Sequence, residues 1–180
     1  MAVAVFFGLG TGTIFVFVPT FAESLGVQTL ALFYTAYAVA AMGVRIVGGQ
    51  LVDTRGRRAV IVPSMFAQAV ASGVLAAVGL LVTGPGHLPL LPALFFSGLL
   101  SGAAHGFLYP GLAALVTDRT PESRRGAVVG TFSAILLAGQ AAGAFAFGYV
   151  SHAVGYGIMW SWLTWLLLIG FLVSLRLPGP

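Results

Sequence analysis

Ser97, Ser101, His105 and Tyr109 recur every fourth residue, a spacing that lays hydroxyl, imidazole and phenol groups along one slanted stripe of a helix. Such a stripe offers hydrogen-bond donors and acceptors to a bound molecule. Ser101 and His105, one turn apart, are also the residue types of a nucleophile and its base. One position further on run Gly98, Gly102 and Gly106, small residues whose spacing lets a second helix approach closely. Ser133 and Gln140 form another polar pair, two turns apart, with Gly139 and Gly143 beside them. Tyr34 and Tyr37 share a face upstream. Ionic chemistry gathers elsewhere: all eight basic residues are Arg, and Arg45, Arg57, Arg58 and Arg125 stand near Asp53, Asp118 and Glu122, three of the four acids in the chain.

The elements that position these groups follow from composition. Charged residues make up 7% of 180 and hydrophobic residues 59%, where a soluble domain carries about a quarter charged. The mean hydropathy is +1.04, which excludes a water-soluble fold. A net charge of +4 raises the question of nucleic acid, but Arg confined to short connections between apolar runs fits membrane orientation instead. With no Cys there is neither a disulfide framework nor thiolate metal ligation. No metal, cofactor or nucleic-acid partner is expected.

A helix needs about 20 apolar residues to cross the hydrocarbon core, and strand-like alternation is absent. Polar and Gly/Pro breaks place spans near 2–22, 29–50, 60–82, 89–117, 127–150 and 157–175, so 1–180 reads as one all-α, six-span transmembrane domain. Arg45, Arg55, Arg57 and Arg58 at the end of span 2, Arg119, Arg124 and Arg125 between spans 4 and 5, and Arg176 after span 6 fall on one side. The connections near Glu23, His87 and His152 contain no Arg. That bias orients both termini and the Arg-rich loops toward the cytoplasm of a plasma (inner) membrane. Within these spans His105 is the one ionisable side chain near mid-depth, which marks it as a functional-site hypothesis. Ser101, His105, Tyr109, Ser133, Gln140 and Tyr37 are the candidate substrate-cavity residues.

The segment Gly49-Gln-Leu-Val-Asp53-Thr-Arg55-Gly-Arg57-Arg58 resembles the signature loop of the major facilitator superfamily, with Gly49, Leu51, Asp53, Gly56, Arg57 and Arg58 matching. Thr54 departs from the pattern, and the base comes one residue later, at Arg55. Asp118 followed after six residues by Arg125-Gly126 resembles the family's second cytoplasmic element, and Gly106-Phe-Leu-Tyr-Pro110 its usual ending of the fourth span. The resemblance covers nearly the whole chain and is closest to the C-terminal six-helix half of an efflux-type permease. It implies secondary transport of a small solute, outward, by alternating access. It also implies a cytoplasmic conformational latch built from Arg45, Gly49, Asp53, Gly56, Arg57, Arg58, Asp118 and Arg125. Gly139-x3-Gly143 is similar to the family's antiporter element, but Ala144 stands where Pro is expected, so antiport is not inferred. In physical terms Gly56 permits a tight turn, and a carboxylate at Asp53 within reach of a helix start gains about 0.3–1 kcal/mol.

Two other readings compete. An intramembrane serine hydrolase would use Ser101 and His105, but the Gly-x-Ser-Gly stretch of such enzymes is missing, and the chain is read as not an enzyme. A non-transporting membrane assembly protein is disfavoured by the latch motif. Phosphate-cradling Gly-rich motifs are absent, so transport is expected to be secondary. Transporters of this type join two six-span halves around a midplane site. The expected partners are therefore a small-molecule substrate, the lipid bilayer and a second six-span half, either the N-terminal half of the same protein or a homodimer mate. Of these, the fragment reading is preferred.

Overall fold

The structure, a computed structural model, describes residues 1–27, 29–82, 90–118 and 120–177, the side chains of 47–50, 52 and 53 apart. Among these residues every regular element is helical: α1 (Ala2–Ser24), α2 (Ala31–Arg55), α3 (Arg58–Leu81), α4 (Leu90–Thr117) and α5 (Arg125–Ser174), with a 3-10 turn at Glu122–Arg124. α1, α3, α4 and the stretch Glu122–Ser174 are long and apolar enough to cross a membrane, and α2 contributes the shorter apolar piece Ala31–Ile46.

Three glycines with positive φ shape the connections. Gly26 (φ 78°) closes α1, with its N–H donating to Glu23 O and the N–H of Val27 donating to Ala22 O, both at 2.9 Å. This is the paired bonding that a left-handed glycine supplies at a helix end. Gly56 (φ 78°) separates α2 from α3. The sequence predicts a connection over 51–59, whereas α2 runs on to Arg55 and α3 begins at Arg58. α2 runs on through Gly48 and Gly49, and polar residues beyond the apolar run can continue a helix into water. Gly155 (φ 82°, ψ 169°) interrupts α5, dividing it into a first limb, 125–154, and a second limb, 156–174. Where the sequence predicts a short loop around His152, the helix continues to a break at one residue, in a backbone region that only glycine adopts freely.

Glycine also fixes which helices touch. A Cβ at Gly98 would stand 2.5 Å from Phe33 O, one at Gly102 would meet Tyr37 O, and one at Gly106 would stand 2.8 Å from Ala41 O. Positions rising by four on both helices run in step, so α2 and α4 pack parallel with the glycine ridge of α4 against the carbonyls of α2. α1 and the first limb of α5 do the same from both sides. Gly8 and Gly12 meet the backbone at Leu136 and Gln140, while Gly139 and Gly143 meet Val5 O and Leu9 O. α3 then packs antiparallel on the second limb, where Gly79 and Gly157 touch backbone to backbone.

The interior has two apolar clusters. One centres on Phe21, Phe33, Leu75, Met159 and Trp160, the other on Phe7, Ile61, Met65, Leu108 and Phe132. Buried polar groups lie between them, among them Thr11, Gln68 and Ser101. The outside is apolar as well: Ile46 is 81% exposed, Phe145 70% and Trp165 69%. A soluble monomer rarely shows so continuous an apolar surface.

Candidate functional site

At the arginine-rich end, Arg57 precedes the first residue of α3 and Asp118 follows the last of α4. Arg57 Nε lies 3.2 Å from Asp118 Oδ2, and Nη2 lies 3.5 Å from Oδ1. This two-pronged contact ties the start of α3 to the end of α4. Both side chains remain partly in solvent, at 30% and 49% exposure, so the pair contributes only about 0.2–1 kcal/mol. The neighbouring Arg58 donates from Nη2 to Leu175 O at 2.8 Å, placing a cation at the carbonyl end of α5, where both hydrogen bonding and the helix dipole favour it. Arg125 approaches Glu122 at 3.9 Å within a single turn, a local contact that joins no two helices.

Of the predicted latch residues, then, Arg57, Arg58 and Asp118 are drawn onto three helix ends, and Gly56 forms the turn. Arg125 stands apart. Arg45 is exposed on α2 and pairs with none of the described carboxylates. Gly49 and Asp53 lie on the last turns of α2, and their side-chain surroundings are outside the described residues.

The α4 stripe fans out over three neighbours. Ser97 Oγ donates to Ala71 O of α3 at 3.1 Å, so its hydroxyl is spent on helix packing. Ser101 is buried. His105 holds its ring 5.2 Å from Phe7 of α1 and 5.9 Å from Tyr37 of α2. Tyr109 sits 5.8 Å from Phe132 of α5 and is half-exposed. Tyr37 in turn meets Phe15 edge-on at 5.1 Å, and Phe15 stacks on Tyr34 at 6.5 Å. One aromatic and polar seam therefore runs where α1, α2, α4 and α5 come together. Ser133 and Gln140 lie on the first limb of α5, each half-buried, with Gln140's backbone against Gly12.

Two groups in this seam have no hydrogen-bond partner among the described residues: Ser101 Oγ and His105 Nδ1. A serine–histidine dyad needs these side chains bonded to each other; they are not. What remains is a pair of buried polar atoms at mid-helix amid aromatic rings, groups able to meet a molecule by hydrogen bonds and ring contacts.

A second buried polar set escaped the sequence reading. Gln68 Nε2 donates to Thr11 Oγ1 at 3.3 Å and to Phe7 O at 3.5 Å, and Ser72 Oγ donates to Trp160 O at 3.2 Å. With Ser64, also buried, these residues recur every fourth position on α3, the spacing already noted on α4. That periodicity was the available signal. The bonds of Gln68 and Ser72 go to groups of α1 and α5, which makes these two cross-links of the bundle.

Residues 1–178 match the sequence profile of the Major Facilitator Superfamily. The chain is similar to the multi-drug resistance efflux pump PmrA of Streptococcus pneumoniae serotype 4, with 28% identity over 145 residues, 77% of this chain and 34% of that protein. It is also similar to the quinolone resistance protein NorA of Staphylococcus aureus, with 26% identity over 153 residues, 82% of this chain and 37% of that protein. The match thus spans about a third of the length of these curated relatives. The profile runs through the signature segment, the glycine-ribbed helix pairs and the seam they enclose, and the chain belongs to the major facilitator superfamily of membrane transport proteins.

Proposed function

We propose that this chain is one six-span half of a secondary transporter that exports a small amphipathic solute across the plasma membrane by alternating access. The six spans are α1 to α4 and the two limbs of α5, with both chain ends and the arginine-rich connections in the cytoplasm. The observation that carries the reading is the seam, where Ser101 Oγ and His105 Nδ1 lie buried without partners. A polar group held in an apolar region costs free energy unless something meets it. The rings of Phe7 and Tyr37 beside His105, with Phe15 edge-on to Tyr37, suit an aromatic solute. The relatives are named for multi-drug and quinolone resistance, which supports a drug-like molecule and an outward direction.

The cytoplasmic ties fit the same cycle. Arg57 to Asp118 and Arg58 to Leu175 O hold the ends of α3, α4 and α5 together, yet exposed contacts of about 0.2–1 kcal/mol are weak enough for a solute's differential binding to offset. The second half would complete the cavity that this half leaves open. The test is export by the full-length protein in cells stripped of their own drug pumps, using fluorescent aromatic solutes of cationic, neutral and anionic charge. At least one solute should accumulate several-fold less than in vector controls, with a protonophore restoring accumulation. Equal accumulation of every solute, with the protein present in the membrane, would dismiss the reading.

A further inference from the structure

The polar stripe of α4 has a counterpart on α3. Ser64, Gln68 and Ser72 recur every fourth residue there, as Ser97, Ser101 and His105 do on α4, and the two helices run antiparallel. Ser97 Oγ bonds Ala71 O, and further along a Cβ at Gly111 would lie 3.3 Å from Ile61. Counted from the first contact, Ser101 stands level with residue 67, and counted from the second, with residue 71. Gln68 falls within that bracket. α1 closes the same junction: Gln68 Nε2 donates to Thr11 Oγ1 at 3.3 Å and to Phe7 O at 3.5 Å, and the Phe7 ring meets His105.

Two atoms of this junction are left over. Gln68 Oε1 and Ser101 Oγ have no hydrogen-bond partner among the described residues, although Gln68 is only 3% exposed and Ser101 4%. Phe7 O can only accept, so the amide nitrogen of Gln68 is the end that faces α1, and the oxygen, an acceptor, is turned from it. Ser101 also stands out among the hydroxyls of the bundle. Thr13, Thr117, Ser161 and Thr164 each return theirs to a carbonyl four residues back in the same helix, whereas that of Ser101 is unspent. Two bare polar atoms in an apolar interior cost free energy, and these two do not bond each other. The buried side chains a turn on from them, Ala71 and Ala104, are short. Gln68, Thr11 and Ser101 carry no charge, which disfavours a metal cation. A water molecule, with two donors and two acceptors, is the ligand that such a pair takes up.

We propose that the junction of α1, α3 and α4 is a binding site for an ordered water, which donates to Gln68 Oε1 and accepts from Ser101 Oγ. Gln68 then holds α1 through its nitrogen and α4 through the water, and it fixes the orientation of the Ser101 hydroxyl. It is a positioning residue that stands behind the seam. Ser101 Oγ has one donor and two acceptor sites, so it serves this water and a solute together. The water site stands on the buried geometry alone; its service to export rests on the transport reading above.

The experiment is hydroxyl-radical footprinting of the full-length protein in phosphatidylcholine nanodiscs, with radicals made by an X-ray pulse. A bound water yields radicals where it sits, so a ring beside it is oxidised without access to bulk solvent. Phe7 and Phe33 are matched reporters, 0% and 1% exposed, with Phe7 at the junction and Phe33 on α2 in the other apolar cluster. Phe7 should be oxidised several-fold faster than Phe33, and Ser101→Ala or Gln68→Leu should each bring it down to the Phe33 rate. Equal rates for the two rings in the unaltered protein would overturn the proposal, and this arm needs no variant to fold. A fast Phe7 rate that survives both substitutions would overturn it too, because the water would then belong to the solute seam. Export gives the second readout. Gln68→Leu and Ser101→Ala should raise KM for one solute by the same factor with kcat kept, and the double variant should raise it no further. Factors that multiply in the double variant would remove the positioning role. Failure of all export by the unaltered protein would instead remove the transport reading and leave footprinting to decide the water site.

Discussion

His105 concentrates the functional argument at the scale of single residues. An imidazole at mid-helix, with Phe7 and Tyr37 on its flanks and Nδ1 unpartnered, gains nothing for the fold that a Leu would not supply. On the proposed reading its place is to meet the solute. His105→Ala is therefore expected to lower the kcat/KM for export by about ten-fold, the worth of a hydrogen bond to a polar ligand atom. His105→Gln, which keeps a donor and an acceptor, should lose less. Membrane abundance of both variants should match the parent. Transport unchanged in both would remove His105 from the site.

His105 was legible from sequence because a lone ionisable residue in an apolar run is conspicuous. Gln68 was not, because an uncharged amide does not interrupt hydropathy, and only the fold reveals that it bonds Thr11 and Phe7 O. Ser97 shows the converse. Sequence spacing puts it in one stripe with Ser101 and His105, but its hydroxyl serves Ala71 O, since spacing defines a face and not the neighbour that face meets.

Elements in this bundle are sorted by glycine. The ridge Gly98, Gly102 and Gly106 was readable as a close-packing face, but its partner became evident only when α2's carbonyls appeared opposite. Gly8 and Gly12 carried the same information for α1, without a polar stripe to draw notice. The expectation is sharp because glycines differ in their surroundings. A Cβ at Gly102 would meet Tyr37 O, whereas nothing lies within 4 Å of one at Gly130. Gly102→Val should cost about 1–3 kcal/mol through forced separation of α2 and α4, and Gly130→Ala should gain up to about 1 kcal/mol in helix propensity. Thermal unfolding of the detergent-solubilised protein checks both, and equal shifts would refute the packing account. The element boundaries were harder to read. Nothing in the run before Gly56 told a helix continuing into water from a loop. At His152, likewise, one glycine turned the chain where several residues were expected to do so.

At the scale of the molecule, the pairs α1 with the first limb of α5 and α2 with α4 are each locked by backbone contact at glycines. Between the pairs run ring contacts, Phe7 with His105, Phe15 with Tyr37 and Tyr109 with Phe132, beside aliphatic packing that includes Val3, Leu108, Leu112 and Leu136. On the proposed reading these pairs shift relative to one another across the aromatic seam, and the bonds of Gln68 to α1 and of Ser97 to α3, which link the pairs through α3, are the contacts that must yield. The membrane class followed from composition, 59% hydrophobic and 7% charged residues, and the all-α fold from apolar runs long enough to span without strand-like alternation. Transport did not follow from composition; it needed the signature segment.

The central claim is that the seam is a cavity whose access alternates. The 180 residues contain no Cys, so Ser133→Cys, a near-isosteric change on the first limb of α5, gives a single reporter once any cysteines in the remainder of the full-length protein are replaced. The measurement is its rate of labelling by a membrane-impermeant maleimide in right-side-out and inverted vesicles, with and without an exported solute. The account predicts that solute changes the rate several-fold and in opposite directions from the two sides. A rate indifferent to solute from both sides would contradict it.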